Sequence, residues 1–351
     1  MRDLENGRDG DRIDRYQNGR DGARPLQKRF AGALALAGVL ILAACAPGVS
    51  VQRGGSAYDG DVRGLVAREV ADLVLPGPTP QSQLHVRVHY PAEGGPFPVI
   101  VFSHGAWGAN DEYQGLMRFW ASHGYVTLQP NLIDSRALGV QVGDRQATRN
   151  ATRRPAEVRA LIDELPTLES RVSELAGKLD LDRLGVAGHS AGAATALLVA
   201  GATVERDGSS LSMADGRVRA VAALAAPPAG SMLSEDSFHG LSLPLLAVVG
   251  SLDAPNIGEQ DARRRRAAYD FSPPGEKYLL WVEGMEHGLG GIQSPTPSER
   301  HAWNPEQQRW VEAATLTFWD AALRGSKRAR QYLRSGAVAR ISNGQARIEW
   351  R

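Results

Sequence analysis

What most constrains the fold of this chain is a series of short, nearly continuous apolar runs. Pro98-Val99-Ile100-Val101-Phe102, Tyr125-Val126-Thr127-Leu128, Leu184-Gly185-Val186-Ala187, Val218–Leu224 and Leu245–Val249 are each only four to seven residues long. Runs so short, apolar at successive positions, describe strands buried on both faces, which is the habit of a parallel sheet covered by helices. Tyr278–Val282 adds another such run, and Leu84–Tyr90 alternates at period two as a half-buried strand does. Between them, Glu112–Ser122, Pro155–Leu165, Ala191–Ala202 and Glu306–Leu323 place apolar residues three and four apart, as amphipathic helices require. The alternation predicts an α/β fold: a doubly wound, mostly parallel sheet with helices on both faces. Reactive side chains then belong on loops at the carboxyl ends of strands.

With 351 residues, 42% of them hydrophobic, the chain can bury one large core. Forty basic against 39 acidic residues leave a formal charge of +1 and no global field to attract nucleic acid. The one dense basic run, Arg263–Arg266, reads as the solvated face of a helix. The single cysteine, Cys45, excludes an internal disulfide and any cysteine-built zinc cluster. Lys28 and Arg29 precede an apolar stretch, Phe30–Ala44, too short to span a membrane comfortably and ending in Leu42-Ala43-Ala44-Cys45. That ending resembles the bacterial lipoprotein signal, which implies lipidation of Cys45, a membrane anchor and a place outside the cytoplasm, periplasmic or on the cell surface. The expected organisation is a polar leader over residues 1–27, disordered or untranslated, a signal segment over 28–45, a flexible tether over 46–64 and a catalytic domain over 65–351.

The chemistry concentrates in Gly188-His189-Ser190-Ala191-Gly192, set between a strand and a helix. A Gly-x-Ser-x-Gly turn in that setting strains its serine and exposes the hydroxyl above the sheet, where the helix N-terminus favours developing negative charge. Serine needs a base, and the base an orienting carboxylate. The order in this fold class is serine, acid, histidine. Asp253 follows the strand ending at Val249, and His287 follows the strand ending at Val282, so both fall at strand ends in that order. His239 precedes Asp253 and breaks the order, and His301 ends no strand. Acyl transfer also requires donors for the oxyanion, and each is worth about 100- to 1,000-fold in rate. Ala191, directly after the serine, supplies one N–H; the loop Ser103-His104-Gly105-Ala106-Trp107-Gly108 supplies the second from Ala106. His104 reads as a brace of that loop, and Trp107 as either the floor of an acyl pocket or a packing residue.

Phe102–Gly105, Ala121–Val126, Asp182–Gly192 and Gly250–Asp253 together resemble the α/β-hydrolases grouped with bacterial dienelactone hydrolases, polyester and cutin hydrolases, and platelet-activating-factor acetylhydrolases. The resemblance covers roughly residues 70–335 and implies the α/β-hydrolase fold and carboxylic ester hydrolysis with neither metal nor organic cofactor. Two departures limit it. Ala225-Ala226-Pro227-Pro228 carries no acid where some of the acetylhydrolases keep theirs, which favours Asp253, and the serine stands where dienelactone hydrolases proper use cysteine. The expected function is a serine hydrolase cleaving a small-molecule or lipid ester through an acyl-enzyme on Ser190. An acyltransferase or amidase would use the same three residues, and a catalytically inactive binding lipoprotein would keep only the scaffold.

Overall fold

Each of the seven runs expected as strands forms one. They lie in β2 (Gln83–Pro91), β3 (Phe97–Ser103), β4 (Val126–Pro130), β5 (Leu179–His189), β8 (Val218–Leu224), β9 (Leu245–Gly250) and β10 (Lys277–Val282). The four expected helices are α1 (Gln114–Ser122), α2 (Arg154–Arg171), α3 (Ala191–Ala200) and α5 (Pro305–Ala322). The structure, a computed structural model, describes residues 57–144, 153–206, 209–254, 261–293 and 303–351. The leader over 1–27, the signal segment with Cys45 and the tether as far as residue 56 lie outside the described residues.

The main sheet has nine strands in the order β1-β2-β4-β3-β5-β8-β9-β10-β11, with β1 at Ala67–Pro76 and β11 at Ala346–Trp350. From β4 to β10 every neighbouring pair is parallel. β2 runs antiparallel to β4, and the edge strands β1 and β11 pair antiparallel to β2 and β10. After β1 and β2 the chain enters the parallel part of the sheet at β3, steps outward to β4 and returns past β3 to β5, so the order reverses there. A doubly wound sheet opens its crevice at the carboxyl ends of strands flanking such a reversal. The loops leaving β3 and β5, which carry Ala106 and Ser190, are therefore neighbours.

Alternation within the strands feeds two cores. Val186 of β5 packs with Val158, Leu161 and Leu197 of α2 and α3, while Ala187 joins the opposite core with Trp120, Val311 and Trp319 of α1 and α5. Each such aliphatic or aromatic side chain withdrawn from water contributes about 1.5–3 kcal/mol. Gly185 is required by this packing, because a Cβ there would lie 2.8 Å from the Trp319 ring. α5 starts where Asn304 accepts from the amides of Glu306 and Gln307, with Pro305 at the first helical position.

Some of the architecture departs from expectation. The edge strands β1 and β11 intersperse charged residues such as Arg68, Glu69, Arg347 and Glu349, and so present no continuous apolar run. A small hairpin, β6 (Thr203–Arg206) with β7 (Ser209–Ser212), and three short helices, α4 (Ala267–Phe271), α6 (Lys327–Leu333) and α7 (Ala337–Ile341), were also not anticipated. α2 continues through Pro166 to Arg171. Proline removes the amide that Ile162 O would have accepted, and Arg217 Nη1 donates to that carbonyl instead at 3.4 Å. The stretch Ala57–Gly64, expected as the end of a flexible tether, is docked: Tyr58 is buried, and its hydroxyl donates to Asp320 Oδ2 at 2.8 Å. The fully buried Asp320 also accepts from Asp61 N, Tyr125 Oη and Arg324 Nη1 at 2.6–2.8 Å. Burying a carboxylate is costly unless donors replace its water, and the docked segment supplies two of these donors, Tyr58 Oη and Asp61 N.

Candidate active site

Ser190 sits between β5 and α3 at φ 56°, ψ −122°, a conformation that non-glycine residues rarely adopt. It is held there by its own amide donating to Leu224 O at 2.9 Å, and by its carbonyl accepting from Ala193 N. The glycines on either side are sterically obligatory. A Cβ on Gly188 would meet Gly192 O at 2.3 Å, and one on Gly192 would meet Ser103 O at 2.1 Å and His104 O at 2.5 Å. The second contact also shows how closely the start of α3 presses on the loop after β3. A Cβ on Gly105 would lie 3.7 Å from Ser190 Cβ.

Asp253 and His287 reach this elbow from beyond the ends of β9 and β10, two strands that are neighbours in the sheet. Their loops are stitched together: Leu252 N donates to Met285 O, Gly284 N to Ser251 Oγ, and Gly250 passes so near that a Cβ would meet Met285 O at 2.0 Å. His287 Nε2 lies 2.9 Å from Ser190 Oγ, and His287 Nδ1 lies 2.8 Å from Asp253 Oδ1. Asp253 is fully buried while the imidazole is about one-third exposed (36%), so the carboxylate is screened from water and the ring is open to a substrate. With Nδ1–H donating to the carboxylate, Nε2 is free to accept the serine proton.

Ala191 is the first residue of α3, where an amide has no intrahelical acceptor. Ala106 is exposed on a turn closed by Gly108 N to Gly105 O at 3.1 Å. Trp107, the next residue, adopts φ 57° and is half-buried. His104 is wholly buried, its Nε2 accepting from Leu132 N at 3.0 Å and its Nδ1 lying 2.7 Å from Gly105 O. Burial, with Arg154 beside it, holds this imidazole well below its ordinary pKa, so it stays neutral. His239 is exposed beside Asp236, away from the elbow, and His301 lies outside the described residues. Among the described residues no group of three or more His, Cys, Asp or Glu is arranged to hold a metal ion.

Two contributors escaped the sequence reading. Arg265 is buried, contrary to the solvated face expected for Arg263–Arg266: its Nε lies 2.8 Å from Asp253 Oδ1, and its Nη1 donates to Ala226 O at 2.9 Å. Burial lowers its pKa and the Asp253 charge opposes that shift. The second is a relay behind the site. Gly105 N donates to Tyr113 Oη at 3.3 Å, Tyr113 Oη lies 2.9 Å from His189 Nδ1, and His189 Nε2 lies 2.8 Å from His287 O. With Nε2–H donating to that carbonyl, Nδ1 accepts from the phenol, so loops after β3, β5 and β10 are tied by one chain of hydrogen bonds.

The strand order, the switch point and the strained serine between β5 and α3 are together decisive. The chain has the α/β-hydrolase fold. A model of the chlorophyllase family matches residues 64–215, a range that contains Ala106, Ser190 and Ala191 and stops before Asp253 and His287. The chain is similar to chlorophyllase type 0 of Chenopodium album, with 29% identity over 110 residues, which are 31% of this chain and 30% of that relative. These likenesses support a place in the α/β-hydrolase superfamily and stop short of any one subgroup of it.

Proposed function

We propose that this protein is a carboxylic ester hydrolase that works through an acyl-enzyme on Ser190. The observation that carries the reading is the continuous line Ser190–His287–Asp253, with both links at 2.8–2.9 Å. In the first half-reaction His287 Nε2 takes the Ser190 proton as Oγ attacks the ester carbonyl; the amides of Ala106 and Ala191 stabilise the oxyanion; and the imidazolium returns the proton to the departing alkoxide. Water, deprotonated by the same imidazole, then attacks the acyl-enzyme, releases the acid and restores the serine. Asp253 holds the ring in the tautomer that this requires and stabilises the imidazolium. Trp107, half-buried beside Ala106, contacts the acyl chain.

The similarity to a chlorophyllase adds chlorophyll to the simple acyl esters worth assaying. The test is hydrolysis of p-nitrophenyl esters of graded acyl length together with labelling by a fluorophosphonate. Labelling should map to Ser190 and disappear with activity in Ser190→Ala. Full activity in Ser190→Ala would reject the reading. The sequence around Cys45 supports lipidation and a location outside the cytoplasm as part of the same proposal. Incorporation of labelled palmitate, lost in Cys45→Ala, tests it.

A further inference from the structure

Arg154, the first residue of α2, is wholly buried behind the loop after β3. Its Nη2 donates to His104 O at 2.7 Å and to Gly105 O at 3.3 Å, while its Nε lies 3.0 Å from the buried carboxylate of Asp134. Gly105 O receives two more donors, Gly108 N at 3.1 Å and His104 Nδ1 at 2.7 Å. Because His104 Nε2 accepts from Leu132 N, the ring proton belongs on Nδ1, and imidazole and guanidinium converge on the same carbonyl.

A trans peptide is planar, so the Gly105 carbonyl and the Ala106 N–H point in opposite directions. Holding the carbonyl toward Arg154 and His104 fixes the amide of Ala106 away from them. Gly105 has no Cβ to restrict its backbone, so nothing in the residue itself prevents this peptide from turning over. We infer that Arg154 is a positioning residue for the oxyanion hole, locking the Gly105–Ala106 peptide so that the Ala106 N–H is presented to the tetrahedral intermediate. The inference rests on the ester-hydrolase reading above and gives a task to a buried charge that the reaction itself does not use.

The test compares wild type, Arg154→Lys and the double variant Arg154→Met/Asp134→Leu, which exchanges the buried ion pair for apolar groups, a replacement that folds often tolerate. Active sites are counted by fluorophosphonate titration, and kcat, KM and the affinity for an alkylboronic acid, which mimics the tetrahedral intermediate, are measured on p-nitrophenyl butyrate. Expected is a fall of about 10- to 100-fold in kcat per titrated site with KM within about twofold, and a parallel loss of boronate affinity, as for a weakened oxyanion donor. Arg154→Lys keeps the charge opposite Asp134 but cannot span both the carboxylate and the two carbonyls, so it should fold and still lose kcat. Wild-type kcat per titrated site in either folded variant, whatever its melting temperature, overturns the inference. Failure of the wild type itself to be labelled or to cleave esters overturns the ester-hydrolase reading instead.

Discussion

At the scale of single residues, the distinction that matters is between a carboxylate that orients a histidine and one that merely neutralises a cation. Asp253 Oδ1 is approached at 2.8 Å by both His287 Nδ1 and Arg265 Nε, so the two demands meet on one atom. Asp253→Asn would present an amide whose NH2 can face Nδ1, favouring the wrong tautomer, and kcat of the folded protein is expected to fall by about 10⁴-fold, alongside a loss of stability because the buried Arg265 loses its anion. Arg265→Met should act differently. It leaves a buried carboxylate short of its cation, costing about 3–5 kcal/mol of stability measured by urea unfolding, with a smaller loss in kcat because the imidazole contact remains. A variant losing kcat as severely as Asp253→Asn at unchanged stability would contradict that division. The convergence of Ser190, Asp253 and His287 was legible in the sequence because each follows a strand end in the order the fold demands. Arg265 was not legible. Four consecutive arginines look alike by composition, and only the three-dimensional path of residues 262–266 turns one of them inward while Arg263 stays 75% exposed.

At the scale of elements, glycines separate positions that the fold needs from positions that merely carry one. A methyl on Gly192 would collide with backbone oxygen at 2.1 Å, and neither β3 nor α3 can yield without moving the loop that carries Ala106. Gly192→Ala is therefore expected to lose more than about 3 kcal/mol or fail to accumulate folded, and any folded fraction should be poorly active. Gly115, inside α1, has no atom within 4 Å of a built Cβ. Gly115→Ala should raise stability by about 0.5–1 kcal/mol, with activity unchanged, in a thermal melt and ester assay run side by side. The strand-to-helix turn at Gly188–Gly192 was readable because its spacing encodes this crowding. Tyr113 was not readable as part of the site: it lies in sequence among residues expected to be helical, yet adopts φ 59° ahead of α1 and reaches His189 through its hydroxyl.

At the scale of the whole molecule, the sheet's central strands were visible in the apolar runs, while its two edge strands were not, because edge strands need only one apolar face and fill the other with charge. The buried charges leave a signature on stability across pH. Glu312 of α5 is mostly buried, and desolvation pushes its pKa up to about 7, with Arg309 only partly opposing that shift. In the unfolded chain the same carboxyl titrates near the ordinary value, 4.5. Between those two values the folded protein holds a proton that the unfolded chain has released, so stability falls as pH rises from about 4.5 to 7 and this contribution is flat above. Glu157, also raised to about 7 by burial, adds a second contribution of the same sign. Glu312→Gln removes one of them. It should be more stable than wild type by about 1–3 kcal/mol at pH 8, and the gain should shrink toward zero near pH 4.5. Urea unfolding at several pH values checks the slope. A gain of equal size at both ends would mean that lost packing or solvation, rather than the buried proton, separates the two proteins.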